Sequence, residues 1–284
     1  MPRTKAASPP YASFEGPVST MYAELVERAR SEGQLLPGTP GSLALRERHG
    51  SGSYWYRRYY PLPKLPQIED FVCTEEDQAA HDAMSNRVES AAWSQEQVRM
   101  LRTLGMQVAD KDVALVLVEM PNRRLFAAGL VLVGTLAYMA WLNEFGVHAL
   151  SSRTQDIDLA RQYALKLATP VSFMEAMQAT KLGFSAVPGG LSPSAPSTSV
   201  KRPGREGLRV DILTSGTELG RVVHLPELDW HAQCVPYFDY LLTSPRQAAM
   251  LAGALRAGQC AGADALGMAQ AVFEHPACER NGQG

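Results

Sequence analysis

The sequence has few cysteines and almost no net charge. Its four cysteines are scattered, and no two of them form a C-x-x-C pair. This argues against a disulfide framework and against a cysteine-rich zinc site, and it fits the reducing cytoplasm. The net charge of −2 excludes a basic field over the whole molecule, so any surface for nucleic acid must be local.

Long stretches that are both uncharged and apolar are scarce, and residues 125–142 are the exception. These eighteen residues carry no charge and follow Arg123-Arg124. Their length approaches that of a membrane span, and basic residues often flank such spans. The competing interpretation is a buried strand, a turn at Gly134-Thr135 and a buried helix. The carboxylates further along the chain favour this second interpretation, so no membrane span is predicted. The beginning of the chain lacks the apolar stretch of a secretory signal, and we expect a cytoplasmic protein.

The N-terminal third predicts two helical regions around a β-hairpin. Apolar residues recur at helical spacing after Pro17. Alternating residues on both sides of Gly50-Ser51-Gly52 indicate the hairpin. Residues 74–108 follow a helical pattern, and Thr74 with Asp77 resembles a capped N-terminus.

The second arm of this hairpin is rich in Tyr, Trp and Arg between residues 53 and 60. One interpretation turns an aromatic face to the core and leaves the arginines on the other side. The alternative is a surface that stacks bases and pairs with phosphates.

The centre of the chain alternates predicted strands and helices. Strands are predicted at LVLVG, QDIDLA, near Phe184 and at LRVDILT, with helices up to about Phe145 and around 171–179. Residues 187–207, dense in Pro, Gly and Ser, predict a long mobile loop, and residues 236–257 predict a helical region. The predicted divisions are an N-terminal region at 1–110, a core at 111–235, and a C-terminal helical segment and tail at 236–284.

Two aspartates lie two positions apart in a predicted strand. Asp156 and Asp158 share one face because side chains alternate with period two, and Ile157 faces the other side. Adjacent carboxylates repel unless a cation neutralises them, and Mg²⁺ is usually held by carboxylates and substrate phosphates. Asp211 lies in a second apolar strand, where a carboxylate is costly unless it is paired or binds metal. If the two strands are neighbours, the three carboxylates suffice for two metal ions in phosphoryl transfer.

Gly134-Thr135 ends a predicted strand and opens a helix. The free backbone N–H groups and the helix dipole at such a point favour a phosphate. Gly134 allows close approach of the backbone, and Thr135 either caps the helix or donates to a phosphate.

The order of these motifs resembles the DNA polymerase β-like nucleotidyltransferase superfamily. Its signature is hG[GS], then Dh[DE]h, then a later h[DE]h strand; here the matches are Val133-Gly134-Thr135, Asp156-Ile157-Asp158-Leu159 and Val210-Asp211-Ile212. The chain is closer still to a bacterial family of poorly characterised nucleotidyltransferase-fold proteins, with Gly-Thr for Gly-Ser and a Tyr-Trp-Tyr hairpin before the core. The resemblance covers roughly residues 40–245, including HLPEL and FDYLL after the third aspartate.

Two features depart from the family pattern. Gly134 and Asp156 are 22 positions apart, which is longer than the common spacing. In the family, a helical segment with a His-Lys-Leu motif follows FDYLL, and this tail shows no such motif. The departure leaves acceptor binding and the completeness of the C-terminal segment open.

The resemblance implies an α+β fold. A small mixed β-sheet forms the nucleotidyltransferase core with flanking helices, preceded by the N-terminal helix, hairpin and helical region. Asp156 and Asp158 would hold Mg²⁺ or Mn²⁺, and Asp211 would complete the metal site and help to activate the attacking hydroxyl. The implied reaction moves NMP from an NTP such as ATP to an acceptor, with release of pyrophosphate.

The resemblance also implies where the triphosphate binds. Gly134 and Thr135 would seat the β- and γ-phosphates. Arg153 is the preferred cation for the triphosphate because it precedes the metal strand. Other basic residues near in sequence are Lys181, Lys201, Arg202 and Arg205.

Several functional interpretations stay open at this point. The acceptor is RNA or tRNA, a protein or a small molecule, and no membrane partner is expected. The main alternative is a catalytically silent member that binds nucleotide or RNA without releasing pyrophosphate. A membrane-anchored protein and a metal-dependent phosphodiesterase are further alternatives. The latter generally adds His ligands, and the spacing of the histidines gives it no support.

Overall fold

The computed structural model describes residues 11–31, 35–50, 52–149, 154–190, 195–252 and 254–260. Helices and strands are mixed along these ranges, which confirms the α+β class. The helices are α1 (Gly16–Ser31), α2 (Gln78–Thr103), α3 (Lys111–Asn122), α4 (Leu125–Ala128), α5 (Gly134–Glu144), α6 (Phe173–Ala179) and α7 (Phe238–Leu242). The strands are β1 (Ala12–Ser13), β2 (Ser42–Arg48), β3 (Gly52–Tyr59), β4 (Ile68–Thr74), β5 (Val131–Val133), β6 (Val147–His148), β7 (Asp156–Arg161), β8 (Ser185–Ala186), β9 (Ser199–Lys201), β10 (Arg209–Ser215), β11 (Val222–Leu225), β12 (Trp230–Val235), β13 (Arg246–Ala252) and β14 (Ala254–Cys260).

The largest sheet is mixed, as predicted for the core. Its strand order is β11-β12-β10-β7-β5-β14-β13, with β9 paired to β10 and β8 paired to β9. Strands β7 and β10 run parallel, whereas β5 runs antiparallel to β7. Because β7 lies between β5 and β10, the three predicted sequence motifs occupy neighbouring strands.

The main core lies on one face of this sheet. Ile157, Leu159, Val210 and Ile212 are fully buried there against helices α3 to α6. In a second apolar cluster, α1 and α2 pack against Ala249 and Leu251 of β13. The alternate residues of β13, which are Ala248, Met250 and Ala252, face the other side and belong to the main core. The helices therefore cover both faces at the β13 end, while polar side chains occupy one face of β7 and β10.

The hairpin predicted around position 50 is confirmed and gains a third strand. Strands β2, β3 and β4 form an antiparallel sheet. The expected separation into an aromatic face and an arginine face is wrong. Arg57 is 2% exposed and donates hydrogen bonds to the carbonyls of Pro37, Thr39 and Pro40. A guanidinium with that many acceptors is tolerated in the interior, so each face of β3 carries both aromatic and arginine side chains.

The helical pattern at 74–108 begins later than predicted. Thr74 is the last residue of β4. The cap of α2 is Asp77, whose side chain accepts a hydrogen bond from the amide of Ala80. The sequence pattern had the right type of cap but assigned part of the preceding strand to the helix.

The prediction of a helical region at residues 236–257 is wrong except for α7. Strand β13 pairs antiparallel with β14, and β14 pairs parallel with β5. The Ala-, Leu- and Arg-rich sequence of 246–257 has high helix propensity. In the fold, however, β5 has a free edge with which β14 pairs, and β14 in turn pairs with β13. Sheet pairing and burial outweigh local propensity here.

The predicted mobile loop at 187–207 contains a strand. Strand β9 pairs with β10, and Ser199 and Val200 are buried. Positions 191–194 lie outside the described residues. The Pro, Gly and Ser content of the segment predicted a loop, yet its three-residue strand has a full register with β10.

The uncharged run at 125–142 forms α4, β5 and α5, which confirms the strand–turn–helix interpretation. None of the helices in the described ranges has both the length and the apolar character needed to cross a membrane.

A buried ion pair ties the motif HLPEL to the core. Arg161 Nη1 lies 2.5 Å from Glu227 Oε1, and both side chains are 12% exposed. The same carboxylate oxygen accepts a hydrogen bond from the amide of Leu165 at 3.2 Å. This loop therefore anchors the chain that follows β7.

Glu227→Gln is expected to lower the free energy of unfolding by about 3 kcal/mol, because it leaves Arg161 buried without a counter-charge. Urea unfolding checks the value. Glu218→Gln is the matched control, since its pair with Arg221 is exposed and 3.9 Å long; it should cost less than about 0.5 kcal/mol. Equal effects of the two substitutions would show that Glu227 has no special role.

Candidate active site

The parallel pairing of β7 with β10 brings the predicted carboxylates together on one face of the sheet. In the register, Asp158 lies opposite Asp211, and Asp156 lies opposite Arg209. Residues paired across adjacent strands point to the same side. The condition that the sequence analysis set, that the two aspartate-bearing strands are neighbours, is therefore met, and the face opposite the main core carries three carboxylates and one guanidinium.

Gly134 brings the start of α5 against Asp158. Strand β5 pairs with β7 so that Val133 lies opposite Asp158. The next residue, Gly134, has a φ of +68°, and a Cβ placed on it would collide with the Asp158 carboxylate. Only glycine combines this left-handed backbone with such a close approach. The first turn of α5, with its free N–H groups, thus lies beside the carboxylates.

Thr135 does not cap this helix. The cap position of α5 is Val133, and it makes no side-chain hydrogen bond to the helix. The capping interpretation of Thr135 is therefore wrong, and its role toward a phosphate stays a prediction. Thr135 is half-buried next to the exposed Gly134.

Asp211 is engaged by two neighbours. Arg209 Nε donates a hydrogen bond to Asp211 Oδ1 at 2.9 Å, and Ser199 Oγ donates to the same oxygen. Arg209 Nη2 also donates to Ser199 Oγ at 2.7 Å, which closes the network. Strand β9 positions Ser199 because it pairs with β10 in a register that sets Ser199 opposite Asp211.

Arg209 and Ser199 were missed by the sequence analysis. Arg209 stands two positions before Asp211, so the period-two argument that joined Asp156 and Asp158 would have found it. Ser199 carried no comparable signal, because its strand lies within a Pro-, Gly- and Ser-rich segment.

The pKa of Asp158 is changed by its burial and by the charges around it. Burial, and then the negative charges of Asp211 and Asp156, raise the pKa of Asp158 to about 6, and Arg209 partly opposes them. The cause is that a carboxylate held away from water and near like charges resists ionisation. A bound cation would reverse the sign of this effect.

The face presents only oxygen ligands, the type that Mg²⁺ prefers. Across the described ranges, however, no three side chains of His, Cys, Asp or Glu are gathered closely enough to hold a metal ion as they stand. One oxygen of Asp211, Oδ1, accepts hydrogen bonds from Arg209 and Ser199. A metal held by all three aspartates would bind the other oxygen of Asp211 or displace Arg209 from Oδ1.

The other predicted basic residues are placed unevenly. Arg153 lies outside the described residues. Lys201 lies opposite Arg209 in the pairing of β9 with β10, and its Nζ donates to the carbonyl of Arg205 at 2.9 Å. Arg202 pairs with Asp112 at 3.5 Å. Of these three basic residues, Lys201 is the one whose strand register places it on the carboxylate face.

Helix α7, the FDYLL segment, covers the other end of this face. Phe238 and Leu242 pack on Val131, Val133 and Ala160. These apolar residues follow the carboxylates along β7 or lie beside them on β5. The carboxylates consequently border an apolar wall.

Comparison with known proteins agrees with this geometry. The model of a family described as Nucleotidyltransferase matches residues 111–258, which is more than half of the chain and contains β5, β7 and β10. No curated protein and no solved structure matches the chain significantly. The chain belongs to this nucleotidyltransferase family and is an enzyme that transfers nucleotidyl groups.

Proposed function

We propose that the protein is a metal-dependent nucleotidyltransferase of the DNA polymerase β-like type. It would move NMP from an NTP to an acceptor hydroxyl. The observation that carries the proposal is the register that sets Asp158 opposite Asp211, with Asp156 on the same face and Gly134 against Asp158.

Asp156 and Asp158 would hold Mg²⁺ or Mn²⁺, and Asp211 would complete the site. The metal would neutralise the charge that builds up on the phosphates during transfer. Arg209, which neutralises Asp211 in the metal-free arrangement, would become available to the phosphates when Asp211 turns to the metal.

The start of α5 would receive the β- and γ-phosphates. Its free N–H groups and dipole favour anions, and Gly134 admits them without a side chain. Thr135, and Lys201 on β9, would add a hydroxyl and a positive charge. Arg153 stays a candidate on the same ground as before, its position just ahead of β7.

In the transfer step, the acceptor oxygen attacks the α-phosphorus of the NTP. The bond from the α-phosphorus to the oxygen that bridges to the β-phosphate breaks, and pyrophosphate leaves. The proton of the acceptor hydroxyl passes to a carboxylate oxygen of Asp211. Positioning and charge neutralisation supply most of the acceleration in transfers of this type.

The test is incubation with each of four α-³²P-labelled NTPs, Mg²⁺ or Mn²⁺, and a mixture of total RNA and cell lysate. We expect label on an acceptor and release of pyrophosphate, both abolished in the Asp156→Ala/Asp158→Ala variant and by EDTA. Asp82→Ala, which removes an exposed carboxylate on α2, should leave both unchanged. Metal-dependent NTP binding without pyrophosphate release or labelling would contradict the proposal and support the silent member.

A further inference from the structure

The small sheet of β2, β3 and β4 has an inner face and an outer face. On the inner face, Trp55 contacts His81 of α2 with ring centroids 4.4 Å apart, and Arg57 and Tyr59 are buried. Alternation along β3 sends Tyr54, Tyr56 and Arg58 to the opposite side. We call this side the outer face.

Three aromatic rings and an arginine form a cluster on the outer face. Phe71 of β4 lies opposite Tyr56, and its ring centroid is 5.9 Å from that of Tyr56 and 6.1 Å from that of Tyr54. The guanidinium of Arg48 lies 5.8 Å from the centroids of both tyrosine rings. Phe71 is nevertheless 59% exposed. Exposed aromatic rings that are contiguous, unlike single exposed residues, are a candidate contact surface for a ligand.

The charge of the outer face is positive. Its acidic residue on β4, Glu69, is neutralised by Arg46 at 2.5 Å. Arg48 and Arg58 then remain to balance external negative charge. The Nε of Arg58 is buried and has no hydrogen-bond partner among the described residues.

A cavity of about 490 Å³ adjoins this cluster at the free edge of β4. Its lining includes Phe71, the basic residues Arg87 and Arg123, and the acidic residues Asp70 and Glu119, and Glu119 accepts a hydrogen bond from Arg123 Nε at 3.0 Å. The cavity therefore has room beside Phe71 for a planar group, while its charged groups are mixed in sign.

This chemistry suits a single-stranded nucleic acid better than a peptide. Aromatic rings stack any exposed base, and arginines bind the phosphates between bases. The neighbours of β3 on β2 are Ser42, Ala44 and Arg46, so this side of the hairpin has no aliphatic anchor of the kind that a peptide would meet. A duplex would keep its bases stacked and out of reach.

We propose that the outer face binds single-stranded RNA and presents it as the acceptor of the nucleotidyl group. Binding to the face stands on the contacts above, whereas the acceptor role rests on the proposed function. The face would hold the strand by stacking on Phe71, Tyr54 and Tyr56, with Arg48 and Arg58 on phosphates. The recipient hydroxyl would belong to the same strand.

Fluorescence anisotropy with a labelled single-stranded RNA of about 12 nucleotides, in EDTA and without NTP, tests the binding apart from catalysis. Phe71→Ala and Tyr56→Ala should each raise Kd about tenfold or more, and Phe71→Trp should restore binding. Arg48→Gln should reduce the salt slope by about 0.7, the loss of one phosphate contact. Leu219→Ala, which trims a side chain 75% exposed on a distant turn, and Asp156→Ala/Asp158→Ala should bind like the wild type.

Circular dichroism and thermal melts first establish that each variant is folded. Absence of RNA binding by the wild type, unchanged Kd in folded Phe71→Ala and Tyr56→Ala, or equal binding of duplex RNA would overturn the binding proposal. Binding through the outer face without any transfer of NMP would instead overturn the proposed function. Transfer to a non-RNA acceptor, with the face variants fully active, would overturn the acceptor role alone.

Discussion

Replacing Asp158 by asparagine is expected to abolish nucleotidyl transfer and, at the same time, to stabilise the metal-free protein. Transfer should fall on the order of 10³-fold, because the variant loses a metal-binding carboxylate. The fold should gain about 1 kcal/mol at pH 7, after allowance for the partial exposure of the side chain. Initial rates with labelled NTP and thermal melts in EDTA measure the two effects.

The stability gain has a definite pH dependence. The pKa of Asp158 in the folded state is about 6, above its ordinary value of 3.8. Its protonated form therefore favours the fold, and the wild type loses that contribution as pH rises through 6. The difference in Tm between Asp158→Asn and the wild type should be clear at pH 7 and should vanish near pH 4. Saturating Mg²⁺ with NTP should reverse it, since only the wild type gains the ion.

Asp156→Asn is the matched control for this experiment. Asp156 lies on the same face but is exposed at the start of β7. Its substitution should lower transfer but raise the Tm of the metal-free protein much less than Asp158→Asn does, because the charge of Asp156 is the smallest of the three causes that raise the pKa of Asp158. A Tm gain in Asp158→Asn that persists at pH 4, or an equal gain in Asp156→Asn, would sink the explanation by burial and like charge.

The second large effect is expected at Gly134. Gly134→Ala should lower transfer by about 100-fold or more, because the new methyl group displaces the Asp158 carboxylate and the start of α5. It should also cost about 1–2 kcal/mol in stability through the left-handed backbone. Steady-state kinetics and urea unfolding separate the two losses.

Gly146, just beyond the other end of α5, supplies the control. Its φ of +64° matches the +68° of Gly134, but an added Cβ would meet only Ser19 Oγ at 3.4 Å. Gly146→Ala should therefore show a similar loss of stability with nearly unchanged transfer. If both variants lost activity equally, backbone strain and not contact with Asp158 would be the cause.

The sequence predicted the structure well where the alternation of side chains along a single strand decides which residues share a face. Alternation with period two predicted that Asp156 and Asp158 share a face, and the apolar neighbours of Asp211 predicted a buried strand. The same alternation places Arg209, two positions before Asp211, on the carboxylate face. The contact of Gly134 with Asp158 depends on the pairing of β5 with β7, which no local pattern encodes.

Other parts of the fold depend on partners that are distant in sequence. Residues 246–260 form strands because β5 and β13 offer edges to β14, whereas their composition favours a helix. Ser199 reaches Asp211 only through the register of β9 with β10. The aromatic hairpin was located correctly, but the division of its residues between faces follows from its packing on α2.

The position of β14 has a consequence for how the protein is made. Strand β5 has β7 on one side, and its other partner among the described residues is β14, which comes far later in the chain. While the chain leaves the ribosome, the hydrogen-bonding edge of β5 therefore stays open until residues 254–260 emerge. An open apolar edge pairs readily with other chains, and contacts of such long range form slowly. We therefore expect the growing chain to be most prone to aggregation late in synthesis, after its aspartate-bearing strands have been made and before β14 can complete the sheet.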